Sequence, residues 1–300
     1  MSRILLTGST GQVGWELARA LMPLGTVLIP DREQFDLTKP QTLAASIANL
    51  RPDVIVNCAA YTAVDKAEQE EHVAKAVNAD SPAELATAAR SAGALLVHYS
   101  TDYIFDGEKN DPYTEQDTPN PRSAYGRTKL GGEEAIRASG ADFVILRTSW
   151  VYAARGKNFL KTILRLAAER EELRIVGDQI GAPTWARLIA ETTGLMLRQE
   201  LERKKTASFK SGTFNLTAAG ETSWHGFATA IISGARERGA NIKCRTVVPI
   251  TTAEYPLPAR RPANSRLAGG ELERRYGLKM PTWQLCTALC LDEIIGSSSV

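Results

Sequence analysis

Tyr125-Gly126-Arg127-Thr128-Lys129 sets a phenol and an ammonium four residues apart, which is one face of a helix. A free phenol ionises near pH ~10, so as an acid at neutral pH it gains from a cation that stabilises the phenolate left behind. Lys129 supplies that cation, and each unit of pKa depression corresponds to ~1.36 kcal/mol of differential stabilisation. The chemistry in view is proton donation to an oxygen that becomes negative during reaction. Thr101, in Tyr99-Ser100-Thr101-Asp102-Tyr103, adds a hydroxyl that could hydrogen-bond the same oxygen as a second donor. The plainer readings are a surface tyrosine lying on a lysine stem and a strand-end threonine that caps the next turn.

Thr7-Gly8-Ser9-Thr10-Gly11-Gln12-Val13-Gly14 points to a partner for that acid. Gly8 and Gly11 permit a tight turn whose N–H groups approach a pyrophosphate at a helix N-terminus, and Gly14 permits close packing of helix on sheet. A tight strand-to-helix turn that binds nothing is the alternative. The second strand ends Ile29-Pro30-Asp31-Arg32. Asp31 would accept from adenosine ribose hydroxyls and repel a 2′-phosphate, whereas Arg32 would neutralise one, so NADH and NADPH both stay open. Asp36-Leu37 would lie near the adenine, or form an ordinary helix N-cap region.

The elements that must hold these residues alternate. Strand-like Arg3 to Thr7, Thr26 to Pro30, Asp53 to Cys58, Ala94 to Ser100 and Asp142 to Thr148 are interleaved with helix-like stretches, including Val13 to Leu24, Pro82 to Ala92 and Tyr125 to Ser139. Such alternation predicts an α/β fold, a Rossmann-type doubly wound parallel sheet. Val54-Ile55-Val56 and Phe143-Val144-Ile145-Leu146 are continuously apolar, as strands covered on both faces require. Beyond Trp150 the order loosens, with helices over Phe159 to Arg170, Ala186 to Arg203 and Trp224 to Arg238. An irregular stretch at Ala253 to Ser265 follows. We expect residues 1–150 to form the NAD(P)-binding domain, with later segments returning to it. Residues 151–300 then form mainly a smaller, C-terminal substrate-binding lobe.

Composition narrows the partners. The 300 residues are 43% hydrophobic and 23% charged, and 36 Lys+Arg against 34 Asp+Glu leave a net charge of +2. That balance disfavours nucleic-acid binding, and the apolar runs are strand-length, far short of the ~20 residues of a membrane helix. Met1-Ser2-Arg3-Ile4-Leu5-Leu6 runs straight into the glycines with no signal-peptide pattern, which predicts a cytoplasmic protein. The four cysteines (Cys58, Cys244, Cys286, Cys290) contain no CxxC pair, so free thiols are expected and no metal site is assigned from the sequence.

The glycine turn together with Tyr125-x-x-x-Lys129 resembles the extended short-chain dehydrogenase/reductase superfamily. Six further blocks resemble its dTDP-4-dehydrorhamnose reductase family: Gly11 to Gly14, Asn57 to Glu68, Tyr99 to Phe105, Arg147 to Tyr152, Asp178-Gln179-x-Gly181-x-Pro183-Thr184, and Pro258 to Ser265. The resemblance implies reduction of the C4 keto group of dTDP-4-dehydro-L-rhamnose to dTDP-L-rhamnose, the last step of dTDP-rhamnose biosynthesis, with NADPH or NADH. It implies Tyr125 as proton donor, Lys129 as holder of the nicotinamide ribose and Thr101 as helper at the carbonyl. Cofactor contacts carry over to Gly11, Gln12, Val13, Asp31, Asp36, Leu37, Ala60, Tyr61, Thr62, Tyr99, Tyr125 and Lys129, and substrate contacts to Thr101, Asp102 and Trp150. Trp150 would lie against the sugar, or be a strand-end core residue. Arg260 and Arg261 would meet the diphosphate, or belong to a loop stiffened by Pro256, Pro258 and Pro262. The resemblance also brings Mg²⁺ and a homodimer. Related dehydratases carry Thr-Asp-Glu where this chain has Thr101-Asp102-Tyr103, and lack of that acid argues against expulsion of water. A non-catalytic relative, the regulatory subunit of methionine adenosyltransferase, is the alternative from another class, disfavoured by intact Tyr125, Lys129 and Thr101.

Overall fold

The computed structural model describes residues 1–206 and 208–296. In the first half, β1 (Ser2–Thr7), α1 (Gln12–Ala20), β2 (Gly25–Leu28), α2 (Leu43–Leu50) and β3 (Val54–Asn57) are followed by two short helices, α3 (Val64–Ala67) and α4 (Glu71–Lys75). Next come α5 (Ser81–Ala92), β4 (Leu95–Thr101), α6 (Ala124–Ala138) and β5 (Asp142–Thr148). The second half runs β6 (Val151–Tyr152), α7 (Phe159–Glu169), β7 (Glu172–Val176), β8 (Ile180–Gly181), β9 (Thr184–Trp185) and α8 (Ala186–Lys205). It finishes with β10 (Gly212–Asn215), β11 (Thr222–Ser223), α9 (Trp224–Glu237), β12 (Thr246–Ile250), α10 (Gly270–Tyr276) and α11 (Trp283–Ile295).

Six strands form one parallel sheet in the order β2-β1-β3-β4-β5-β10. Strand side chains alternate between faces, and here both faces are covered. Ile4, Leu6, Val54, Val56, Leu95, Val97, Val144 and Leu146 pack with Leu17 and Leu21 from the first helical segment and Ile189 and Met196 of α8. Their neighbours Leu5, Ile55, Leu96 and Ile145 point the other way, against Leu43 and Ile47 of α2, Leu85 and Ala89 of α5, and Ile136 of α6. A third core joins Tyr152, Leu160, Trp185, Phe227, Trp283, Cys286 and Cys290 beneath the second half. The chain returns to the sheet through β10, which pairs with β5, and through α8.

The first helix is shorter than the periodicity predicts. It ends at Ala20, and Met22–Leu24 form a 3₁₀ turn, because Pro23 has no N–H to continue the ladder. The chain order β1, β2, then β3 on the far side of β1, opens a crevice at the carboxyl ends of β1 and β3. The glycine turn after β1 and the loop after β3 flank it.

One buried ion pair fixes the tyrosine-bearing helix to the sheet. Arg147 of β5 donates from Nε and Nη2 to the two Glu133 oxygens of α6, at 3.0 and 2.8 Å, with Glu133 0% and Arg147 2% exposed. Arg137, one turn on, adds a 2.6 Å bond from a half-exposed position. Removing one partner of a buried pair strands the other charge. Glu133→Ala is therefore expected to destabilise the fold by ~3–5 kcal/mol in urea unfolding, against less than ~1 kcal/mol for Arg137→Ala. Equal, small losses in both variants would show that the pair does not secure α6.

Candidate active site

The glycine turn is built for close approach. Gly8 has φ +71°, and the Gly11 N–H donates to the Gly8 carbonyl at 2.9 Å. A Cβ on Gly14 would lie 2.1 Å from that carbonyl oxygen, so Gly14 packs helix α1 on the turn itself. No side chain caps the N-terminus of α1, so its first N–H groups are free to donate to a phosphate, and the site fits a dinucleotide. Val13 packs toward the core, and Gln12 Oε1 accepts from Asn158 Nδ2 at 2.8 Å, tying the turn to the N-cap of α7.

Beyond β2, Asp31 and Arg32 are both exposed, and Asp31 Oδ1 accepts from the Gln34 N–H at 2.8 Å. Asp36 is engaged in its own turn, accepting from the Thr38 N–H and hydroxyl at 2.9 and 2.8 Å; these bonds hold its carboxyl below the usual range. Leu37 is buried in the core. After β3, Ala60 and Tyr61 are half-buried and Thr62 is exposed. Asn78, in a π-helical turn over Ala76–Asp80, clamps this loop: it accepts from the Tyr61 N–H at 2.9 Å and donates to the Tyr61 carbonyl at 3.1 Å. Its amide also donates to Thr128 of α6 at 3.2 Å, so one residue ties the loop to the tyrosine helix.

At the end of β4, α6 sits close because Gly126 has no side chain; a Cβ there would lie 2.2 Å from the Tyr103 carbonyl. Ser123 caps the helix, accepting from the Gly126 N–H at 3.1 Å. Tyr125 is thereby brought to the Thr101 hydroxyl and edge-on to Tyr103, with ring centroids 5.4 Å apart. Burial pushes the Tyr125 phenol up to about 12, against the pull of the Thr101 hydroxyl. One turn along, Lys129 is 2% exposed, and its Nζ donates to the Tyr99 carbonyl at 2.5 Å. Burial lowers Lys129 to about 8, with Glu133 opposing.

Three features differ from what the sequence suggests. Burial raises the Tyr125 phenol instead of Lys129 depressing it, because the ammonium is turned to β4. Tyr99 offers Lys129 its carbonyl, while its phenol points into the core, 2.7 Å from Thr193 of α8. Thr101 gives its proton to Asp102 Oδ1 at 2.9 Å, so its hydroxyl must turn from Asp102 before it can donate beside Tyr125. Asp102 is buried, and burial pushes its carboxyl up to about 6.

Beside this group lies a cleft of about 1070 Å³, lined by Tyr103, Trp150, Phe159, Gln179, Trp224 and Arg261, among others. Trp150 stacks on Trp224 at 3.6 Å between centroids and has a left-handed φ of 49°, a strained backbone for a bulky residue. Trp224 Nε1 donates to Gln179 at 3.1 Å. Arg261 pairs with Asp65 at 2.7 Å and Arg260 with Glu108 at 3.1 Å, so both guanidiniums answer carboxylates. Asn78 and Trp224 carry no motif that marks them; Gln179 lies inside a quoted block but without a role. Among the described residues no three His, Cys, Asp or Glu side chains converge on one point.

The RmlD substrate binding domain model matches residues 1–295. The chain is 50% identical to a dTDP-4-dehydrorhamnose reductase of Burkholderia thailandensis, over 98% of this chain and 99% of that protein. Among solved structures it is similar to a dTDP-4-dehydrorhamnose reductase from Clostridium acetobutylicum (TM-score 0.87, 38% identity, 97% of this chain and 99% of that one). It is similar also to the Bacillus anthracis enzyme in complex with NADP (TM-score 0.86, 34% identity, 97% and 99%).

The turn geometry makes a direct prediction. Gly14→Ala forces a methyl onto the Gly8 carbonyl, whereas Gly270→Ala meets nothing within 4 Å. Calorimetric titration with NADPH and NADH should show binding abolished in the first and kept in the second. Unchanged affinity in Gly14→Ala would mean the dinucleotide does not sit on this turn.

Proposed function

The chain belongs to the RmlD family of dTDP-4-dehydrorhamnose reductases, and on that footing we propose that it reduces the C4 keto group of dTDP-4-dehydro-L-rhamnose with NADPH or NADH. The observation that carries this reading is the buried Lys129 one turn from a Tyr125 phenol held at Thr101, beside an uncapped helix N-terminus. When bound, the reduced nicotinamide supplies the hydride. Gly8, Gly11, Gln12, Val13 and Gly14 would hold its pyrophosphate, and the loop of Ala60, Tyr61 and Thr62 would flank it.

Tyr125 is protonated at neutral pH, so it is loaded as an acid. The Thr101 hydroxyl lies beside the phenol, where both can face the substrate carbonyl. Turning the Thr101 hydroxyl from Asp102 to the carbonyl adds a second donor where charge develops. The ammonium of Lys129 has three N–H donors, and its positive charge offsets the phenolate that forms. Trp150, stacked on Trp224, offers a flat apolar wall for the sugar ring. Arg261 would exchange Asp65 for the diphosphate, two oxygens in place of a carboxylate's.

The four unpaired cysteines suit a reducing compartment, which goes with the cytoplasmic location expected from the sequence. No described helix is long and apolar enough to cross a membrane.

Purified protein should oxidise NADPH or NADH, followed by loss of nicotinamide absorbance, only when a dTDP-4-keto-6-deoxy sugar is added. No oxidation with authentic substrate, together with tight capture of a protein partner, would favour the regulatory alternative. Tyr125→Phe should lower kcat by at least ~10²-fold with cofactor affinity nearly intact; near-normal turnover would remove Tyr125 from its role. The pH dependence has a definite sign. Lys129 is charged below about 8 and neutral above it, so kcat/KM for the reduced cofactor should hold at neutral pH and fall as pH rises through about 8. A profile flat to pH 10 would contradict the assignment.

A further inference from the structure

A buried polar chain that the reaction does not use reaches Lys129 from the sheet. Its Nζ lies 3.2 Å from His98 Nε2 on β4. Asn57 Nδ2, on β3, is placed 3.0 Å from His98 Nδ1, and Asn57 Oδ1 accepts from the Thr7 hydroxyl on β1 at 2.6 Å. Thr7 immediately precedes Gly8, so the chain runs from the glycine turn to the lysine. All four side chains are buried.

Counting donors decides how it is wired. An ammonium only donates, a neutral imidazole has one donor and one acceptor, and the two ends of an amide are told apart by their hydrogen bonds. If the Asn57 nitrogen faces His98, Nδ1 must accept and Nε2 carries the proton, which then points at the ammonium 3.2 Å away. If the Asn57 oxygen faces His98, Nδ1–H donates to it and the Nε2 lone pair accepts from Lys129. The second arrangement turns the Thr7 hydroxyl from donor to acceptor. It exchanges the two ends of the Asn57 amide, keeps both neutral contacts with their directions reversed, and adds a charge-assisted bond from Lys129, about twice as strong as a neutral one. A doubly protonated ring would put two cations side by side in the core, and burial and then the Lys129 charge hold His98 well below the usual histidine range.

We propose that His98 is the positioning residue for Lys129: a neutral imidazole with its proton on Nδ1, oriented by Asn57, whose Nε2 lone pair anchors the ammonium and keeps it charged. The catalytic consequence rests on the reading of Tyr125 and Lys129 as the proton-donating pair; the wiring itself does not. The other groups facing the ammonium leave His98 this task. Tyr99 contributes its carbonyl from β4, and Glu133 on α6 is engaged by Arg147 and Arg137. Cys58, at the end of β3, stays a neutral thiol, since burial pushes it up to about 12.

The chain has three histidines, so imidazole nitrogen NMR on protein labelled with ¹⁵N-histidine resolves them. His225 is an internal reference of opposite kind, because its Nε2 faces the Val247 carbonyl at 3.0 Å and must carry a proton. His98 should show a protonated Nδ1 and an unprotonated Nε2 from pH 6 to 9. A protonated Nε2 at pH 7 would overturn the proposal.

The functional arm uses two amides of different reach. The Asn side chain places its amide where Nδ1 was, near Asn57, and the Gln side chain places its amide where Nε2 was, near Lys129. In His98→Asn the alkaline limb of kcat/KM should move down by roughly one pH unit, the size of a hydrogen bond to a charged group. In His98→Gln it should return toward the wild-type position. Equal shifts in both, or none, would mean His98 only fills space. Should the protein turn over no dTDP-4-keto sugar, the reductase reading fails, and the NMR of the wild-type chain still decides the wiring of His98.

Discussion

A charged amine taken out of water at the end of β4 is the constraint on which the site depends. An unpaired ammonium in a protein core is costly, and proteins meet that cost with hydrogen bonds or by releasing the proton. Lys129 has the Tyr99 carbonyl at 2.5 Å and His98 at 3.2 Å, with the Glu133 carboxylate one turn along its own helix. Those partners sit on β4 and α6, so the two elements must approach closely. Gly126 meets the Tyr103 carbonyl and Gly132 the Asn78 carbonyl at distances no Cβ tolerates, and the Arg147–Glu133 pair holds the approach. Tyr125 then has one place to be, beside Thr101.

The two halves of the chain divide the task unequally. The dinucleotide turn follows β1, and the acid is held by α6 at the end of β4, two strands along, both at the carboxyl edge where a parallel sheet places its ligands. The later segments form the cleft wall with Trp150, Trp224 and Gln179, and Arg261 bridges back to Asp65 of α3. A near-neutral protein with an anionic cofactor and substrate needs few placed cations. Here they are Lys129 inside and Arg261 at the cleft, with Arg32 exposed beside the end of β2.

The parts legible in the sequence were local ones. β5 occupies Asp142–Thr148, the stretch its apolar run marks, and α6 places Tyr125 and Lys129 on one face as their spacing requires. The glycine turn was readable because each glycine answers a short-range steric demand. What could not be read were pairings across long stretches of chain: Arg147 with Glu133, Arg261 with Asp65, and His98 with Lys129. His98 follows the apolar run Leu95-Leu96-Val97, and nothing in Leu95–Thr101 tells that its ring meets an ammonium. The raised Tyr125 phenol was hidden for the same reason, since burial is a property of the packed molecule.

The central claim is that Lys129 carries its charge inside the fold at neutral pH and loses it only slightly above. Direct NMR titration of the Lys129 ¹⁵Nζ, assigned by its absence in Lys129→Met, tests this without reference to turnover. A single midpoint near 8 is expected, with the ammonium form present at pH 7. A neutral amine at pH 7, or a midpoint at the ordinary lysine value above ~10, would contradict it.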